Sequence, residues 1–377
     1  MKKMTLVASA SMGLESVVKD ECVDLGFENV TTFNGRVEFE GAAKEIVAAN
    51  IHLRCADRVY IKMAEFKALT FEDLFQNIKK IAWEEIIPIN GEFPVSWVSS
   101  VKSKLFSKSD IQKIVKKAMV ERLKNSYNID VFPEDGPVYK IKIQAHNDIF
   151  IIMLDTSGEA LHKRGYRNLI NEAPLKETMA AALVKLSRWK GGELPLIDPM
   201  CGTGTIAIEA AMIARNVAPG VNRNFVSEGW DIIPSDLWID VRDEAFSAED
   251  YDKEVTIFAS DLDEETIEIA KLNAKKAGVD EDITFSCQNF LHLETDAPKG
   301  AIITNPPYGD RLLDDDAVER LYGLMGDIFR MRFPKWSYYV ITAFEKFEDA
   351  FGKKATKNRK LYNGGIKCYY YQYYGAK

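Results

Sequence analysis

Four consecutive residues, Asn305-Pro306-Pro307-Tyr308, end the apolar run 301–304 and bring together groups suited to one kind of chemistry. An exocyclic amine on a planar base has its lone pair delocalised into the ring. It attacks a methyl sulfonium poorly unless it is held in line and made to rehybridise. The side-chain carbonyl of Asn305 and the backbone carbonyl of Pro306 supply two acceptors for the amine hydrogens, and successive prolines stiffen the loop that carries them. Tyr308 offers a face on which a base stacks once drawn out of its helix. Methyl transfer to such a nitrogen requires neither a metal nor a strong general base. The plain alternative is a rigid turn without a ligand.

Three further loops stand at strand ends. Asp198-Pro199-Met200-Cys201-Gly202-Thr203-Gly204-Thr205 joins an apolar strand to a helix, where glycine permits a tight turn and close approach of a ligand to the backbone. It lacks the GKS or GKT of a phosphate loop and carries only a partial dinucleotide fingerprint. Cys201 reads as a small residue lining this loop, with no neighbouring acid or base to activate it. Asp261, at the end of the next strand, can accept from both hydroxyls of a ribose or can cap the following helix. Asn289 can read an adenine edge or serve as a turn asparagine.

Those loops need a frame, and the pattern supplies one. Strands are expected at 4–10, 36–39 and 59–64 with helices at 13–25 and 42–50, a small α+β unit of ferredoxin type. Helices at 70–80 and 109–124 with extended runs at 93–101, 138–145 and 149–155 suggest a second small unit. From 172 onward, strand and helix alternate in the manner of a doubly wound α/β sheet, closed by an aromatic hairpin split at Asn363-Gly364-Gly365. The expected division is 1–65, 66–157, a linker at 158–170, and 171–377.

Charge narrows the partners. The chain of 377 residues has a formal charge of −8, yet residues 1–165 balance 23 basic against 23 acidic side chains. Within that neutral part Lys102, Lys104, Lys108, Lys113, Lys116 and Lys117 gather around one helix, a local footprint for phosphates or a solvated face. Lys163, Arg164 and Arg167 extend the basic track across the linker, or form a polar hinge. The five cysteines and four histidines are scattered in no ligand spacing, so a disulfide framework or metal site is not expected. No apolar run suits a membrane span, and a cytoplasmic protein is expected. Trp230 and Trp238 lie either near a ligand or in packing.

Taken as an ordered set, DPMCGTGT, DLD, QNF and NPPYG, preceded by APLKETMAAAL, resemble the class I methyltransferases that use S-adenosylmethionine to methylate exocyclic amines. The resemblance covers roughly the last 210 residues. It implies a Rossmann-like catalytic domain in which Asp198, Gly202 and Gly204 meet the methionine moiety, Asp261 the ribose, Leu262 and Asn289 the adenine, with Cys201 and Thr203 also lining the cofactor loop. By the same resemblance Pro174, Leu175 and Lys176 begin a helix closing the cofactor site, and Asn305 borders both cofactor and target. Upstream, VSSVKSKL (98–105) with its basic helix looks like a THUMP RNA-binding module after a ferredoxin-like companion. The junction HKRGYR (162–167) resembles bacterial THUMP methyltransferases akin to the amino-terminal half of RlmL. That implies N2 of a guanine in 23S ribosomal RNA, free or in a pre-ribosomal particle, as substrate, with a monomer favoured. A transfer-RNA guanine-N2 enzyme, a DNA adenine-N6 methylase and a non-catalytic RNA-binding assembly factor remain as rivals.

Overall fold

The computed structural model describes residues 3–167, 175–308 and 315–375. The chain forms two compact units, and neither is continuous: 1–10, 19–161 and 224–244 make the first, 11–18, 162–223 and 245–377 the second. Among the described residues no helix is long and apolar enough to cross a membrane.

In the first unit β1 (Met4–Ala10), β2 (Glu28–Phe33), β3 (Arg36–Gly41), β4 (Ala56–Lys67), β5 (Val95–Val101), β6 (Ile141–His146) and β7 (Ile149–Asp155) form one sheet in the order β2-β3-β1-β4-β7-β6-β5. Two separate small units were expected, and β4 is the reason they are one. Its 12 residues pair antiparallel with β1 on one side (Leu6 opposite Ile61) and with β7 on the other (Lys67 opposite Ile149). A sheet built this way has no edge between the ferredoxin-like and THUMP parts. The helices Ala43–His52 (α1), Phe71–Lys79 (α2) and Lys108–Tyr127 (α3) bury Ile46, Leu74, Ile78, Ile111, Val115 and Leu123. Thr70 and Asp73 close a capping box on α2, and Ser107 caps α3, so each start is set by a side chain that satisfies an otherwise unpaired N–H.

Residues 224–244 were expected within the catalytic domain and belong instead to the first unit. Aromatic packing holds them there. The Trp230 ring stacks on Tyr139 with centroids 4.6 Å apart, and its indole N–H donates to the Val138 carbonyl at 3.1 Å. Phe225 stacks on Trp238 at 5.3 Å, and the buried Ser227 hydroxyl donates to the Thr156 carbonyl at 2.7 Å. Both tryptophans are therefore buried anchors.

The second unit is a sheet of β8 (Leu196–Asp198), β9 (Ile257–Asp261), β10 (Ile283–Cys287), β11 (Ala301–Thr304), β12 (Ser337–Thr342), β13 (Lys357–Asn363) and β14 (Ile366–Tyr373), in the order β10-β9-β8-β11-β12-β14-β13. The first five run parallel, and β14 pairs antiparallel with β12 and β13. The helices are α4 (Glu177–Leu186), α5 (Thr205–Ala214), α6 (Glu264–Ala277) and α7 (Asp315–Arg332). Short β8 is buried at every position because it sits inside a parallel sheet. Chain order reverses there: β8 leads to β9 on one side while β11 lies on the other, and it is outside the carboxyl ends of strands at such a reversal that doubly wound sheets bind ligands.

Replacing Trp230 by alanine removes both the ring stack and the indole hydrogen bond. We expect a loss of about 3–5 kcal/mol in urea denaturation followed by tryptophan-independent circular dichroism. A change below about 1 kcal/mol would show that residues 224–244 are not anchored through this ring.

Candidate active site

The carboxyl ends of three neighbouring parallel strands carry buried polar atoms that nothing among the described residues satisfies: Asp198 Oδ1 on β8, Ser260 Oγ on β9, Thr304 Oγ1 on β11 and Asn305 Oδ1 just beyond it. Thr304 lies beside the Asp198 carboxyl without closing a hydrogen bond of ordinary geometry. Buried polar groups almost always find partners, so four unpaired atoms along one sheet edge mark a place built for a ligand.

The glycine loop turns over this edge. The Cys201 N–H donates to the Ser260 carbonyl and the Gly204 N–H to the Cys201 carbonyl, each at 2.9 Å. Gly204 has φ +83°, and a Cβ there would lie 3.2 Å from that of Ala270 on α6, so the turn and the helix packing both require glycine. Gly202 has φ +51°, and a Cβ built on it would meet nothing within 4 Å. That leaves open space above the loop for a ligand. Cys201 and Thr203 are buried, and the Thr203 carbonyl accepts from Asn273 of α6 at 3.2 Å.

Asp261 Oδ2 accepts the Gly202 N–H at 2.9 Å, and its Oδ1 accepts that of Asp263 at 3.3 Å. The helix cap is Asp263, whose carboxylate accepts the Glu265 N–H, so Asp261 is left at the loop edge. Leu262 beside it is 66% exposed, an apolar surface available to a flat ring. Asn289 behaves as the turn asparagine of the two readings: its Oδ1 accepts the Leu291 N–H at 3.0 Å and starts a short 3-10 turn. The other sequence-derived cofactor positions are Leu175, buried, and Lys176, at the start of α4; Pro174 lies outside the described residues.

The Asn-Pro-Pro-Tyr corner follows β11, where Ile302 pairs with Ile197 of β8, so it stands over the same edge as Asp198. Pro306 is buried, while Asn305, Pro307 and Tyr308 are half-buried. The Tyr308 hydroxyl lies 3.7 Å from Cys368 Sγ of β14, and burial pushes it above the usual phenol range. The Pro307 carbonyl accepts from Tyr322 of α7 at 3.1 Å.

The linker basics require a correction. Arg164 is 4% exposed and faces Glu209 of α5 at 3.4 Å, with the Tyr166 hydroxyl donating to the same carboxylate at 3.1 Å. Arg167 pairs with Glu177 at 3.3 Å, donates to the Leu175 carbonyl and reaches the Thr205 hydroxyl at the head of α5. Neither guanidinium is presented to an external polyanion; both brace the elements that carry the glycine loop. Glu209 is the one charge in the otherwise apolar TIAIEAAMIA of α5, and an isolated charge in such a helix is the signal that would have revealed a buried partner. Of the sequence-derived phosphate contacts in the first unit, Lys102, Lys104, Lys108, Lys113 and Lys117 are exposed. Lys116 is engaged locally, 3.4 Å from the Phe93 ring centroid and 2.8 Å from Glu134.

Burial pushes the Asp198 carboxyl up to about 7, and the nearby Asp261 charge adds to the effect. A raised carboxyl favours the folded state fully below the unfolded value near 4 and loses that contribution as pH climbs through 7. The Asp198→Asn variant removes the titration. It should gain about 3 kcal/mol relative to the wild type between pH 4.5 and pH 8 in urea denaturation. A pH-independent difference would show that Asp198 is ionised in the folded protein.

Comparison with known proteins agrees with this geometry. Residues 164–372 match the family described as RMKL-like, methyltransferase domain; residues 5–60 match the RlmL ferredoxin-like domain, and 68–155 the THUMP domain. The chain is 50% identical over 376 residues to the "Putative RNA methyltransferase YpsC" of Bacillus subtilis, covering 99% of this chain and 97% of that protein. A possible methylase from Clostridium difficile 630 superposes with a TM-score of 0.96 at 47% identity, covering 100% of this chain and 99% of that one. The structure described as "SMU.472, a putative methyltransferase complexed with SAH" does so with a TM-score of 0.93 at 43% identity, covering 100% and 99%. Unpaired acceptors along the strand ends, open space over Gly202 and the exposed Leu262 fit an adenosyl sulfonium, and this chain is a THUMP-containing member of the RMKL-like methyltransferase family that uses S-adenosylmethionine.

Proposed function

We propose that the protein methylates the exocyclic N2 of a guanine in 23S ribosomal RNA. The observation that carries this reading is the buried, unpaired Asn305 Oδ1 beside the Asp198 edge. A buried acceptor without a partner among the described residues is suited to take a hydrogen from an incoming amine. S-adenosylmethionine, when bound, supplies an electrophilic methyl group on a sulfonium. Asp198, Asp261 and the glycine loop would hold it, with Leu262 against its adenine.

Asn305 Oδ1 and the Pro306 carbonyl would accept the two amine hydrogens and turn the nitrogen lone pair toward the methyl group, with the base stacked on Tyr308. The new nitrogen–carbon bond forms as the sulfur–carbon bond breaks, and the surplus proton passes to water. Ribosomal RNA and guanine N2 are favoured by the match of the first unit to the RlmL ferredoxin-like and THUMP domains. The loop 102–106 supports an RNA contact: Lys102 and Lys104 are exposed, Phe106 is 77% exposed, and Lys108 opens α3. The Lys104 N–H is pinned to Asp148 Oδ1 at 2.7 Å, so this loop is held in shape before any RNA arrives.

The test is mass spectrometry of nucleosides from separated 23S and transfer RNA of cells with and without the gene. Loss of N2-methylguanosine from 23S RNA alone is expected; loss only from transfer RNA, or of a methyladenosine, would replace the substrate. In vitro, Asn305→Ala should lower turnover by about 100-fold or more while S-adenosylmethionine binds within about threefold of wild type.

A further inference from the structure

We infer that Tyr322 and Thr342 form a directed hydroxyl relay that sets the acceptor geometry of the Asn-Pro-Pro-Tyr corner, which makes both of them positioning residues for methyl transfer. The inference rests on the reading of that corner as the amine-binding site. The direction of the relay follows from the groups themselves. The Pro307 carbonyl can only accept, so Tyr322 must spend its single proton there, at 3.1 Å. The contact between Tyr322 Oη and Thr342 Oγ1, at 2.8 Å, then has Thr342 as donor. Thr342 in turn accepts the Phe344 N–H at 3.0 Å. Every proton in the chain therefore points from the end of β12 toward the proline corner.

The relay is buried among aromatic rings. Tyr322 and Thr342 are both fully buried, and the Tyr322 ring meets Phe347 edge-on at 4.9 Å and Phe344 at 5.6 Å. Thr342 stands two residues beyond Val340, the β12 partner of Thr304, so the strand pairing itself delivers this hydroxyl alongside the corner. Prolines 306 and 307 have no N–H with which to anchor their own loop. The hydrogen bond that the Pro307 carbonyl accepts fixes the plane of the Pro307–Tyr308 peptide, and with it the direction of the Pro306 carbonyl, while the Tyr308 hydroxyl is held separately beside Cys368 Sγ.

Tyr322→Phe keeps the ring packing and removes the relay. With tritiated S-adenosylmethionine and total RNA from cells lacking the gene, we expect its single-turnover rate to fall about tenfold while the calorimetric dissociation constant for S-adenosylmethionine stays within about twofold. Thr342→Val should show the same loss, Thr342→Ser should recover most of it, and the double variant should be no slower than either single one. Hydrogen exchange of the peptide 301–308 in the protein alone should speed up in Tyr322→Phe without change in β8. Wild-type rates in Tyr322→Phe, failure of Thr342→Ser to recover activity, or unchanged exchange would each overturn the relay. Absence of transfer by the wild-type protein would instead defeat the parent reading, and the exchange experiment would still decide the relay.

Discussion

Parallel pairing of β8 with β11 is the constraint on which the site depends. It carries Asp198 and Asn305 to one sheet edge and leaves an oxygen of each buried without a partner among the described residues. An unsatisfied buried acceptor costs roughly 1–3 kcal/mol, so a donor supplied at this edge would relieve a real cost. The same shielding that raises Asp198 would strengthen any hydrogen bond a ligand makes there. Binding strength and catalytic alignment thus have a common origin in a sheet edge whose buried oxygens find no partner among the described residues.

The charges behind that edge perform a different task. Arg164, Tyr166 and Glu209 form one buried group, and Arg167, Glu177 and Thr205 another. Desolvated ions of this kind contribute little net stability, but removing one partner leaves the other stranded. Their value is positional: they tie residues 162–167 to α4 and α5, whose starts flank the glycine loop. Arg164 and Arg167, which read as part of an RNA track in the sequence, are in this way consumed by the catalytic unit, while Lys163, the lysines of the loop before α3, and Lys108, Lys113 and Lys117 of α3 stay exposed.

Much of this was legible beforehand, for identifiable reasons. The strands ending in Asp198, Asp261 and Thr304 are apolar runs followed by glycine, acid or proline, so their ends are sharp. β2 was not seen because ENVTTF is exposed at nearly every position, and an edge strand without alternation leaves no pattern to detect. The union of the two small sheets was hidden because pairing partners are non-local: β4 reads as a strand whether it serves one sheet or joins two. Residues 224–244 look like an insertion in the catalytic half; only the stack of Trp230 on Tyr139, 91 residues earlier in the chain, assigns them to the first unit. Arg164 misled because sequence displays charge and not burial.

The most direct measurement is a crystal structure of the protein with S-adenosylhomocysteine and a guanine-containing RNA fragment. The unpaired oxygens should acquire partners, with Asp198 Oδ1 facing the cofactor side and Asn305 Oδ1 within about 3 Å of the target amine nitrogen. A complex in which the cofactor product binds but both oxygens stay unpaired, or in which the base lies away from Asn305, would contradict the account.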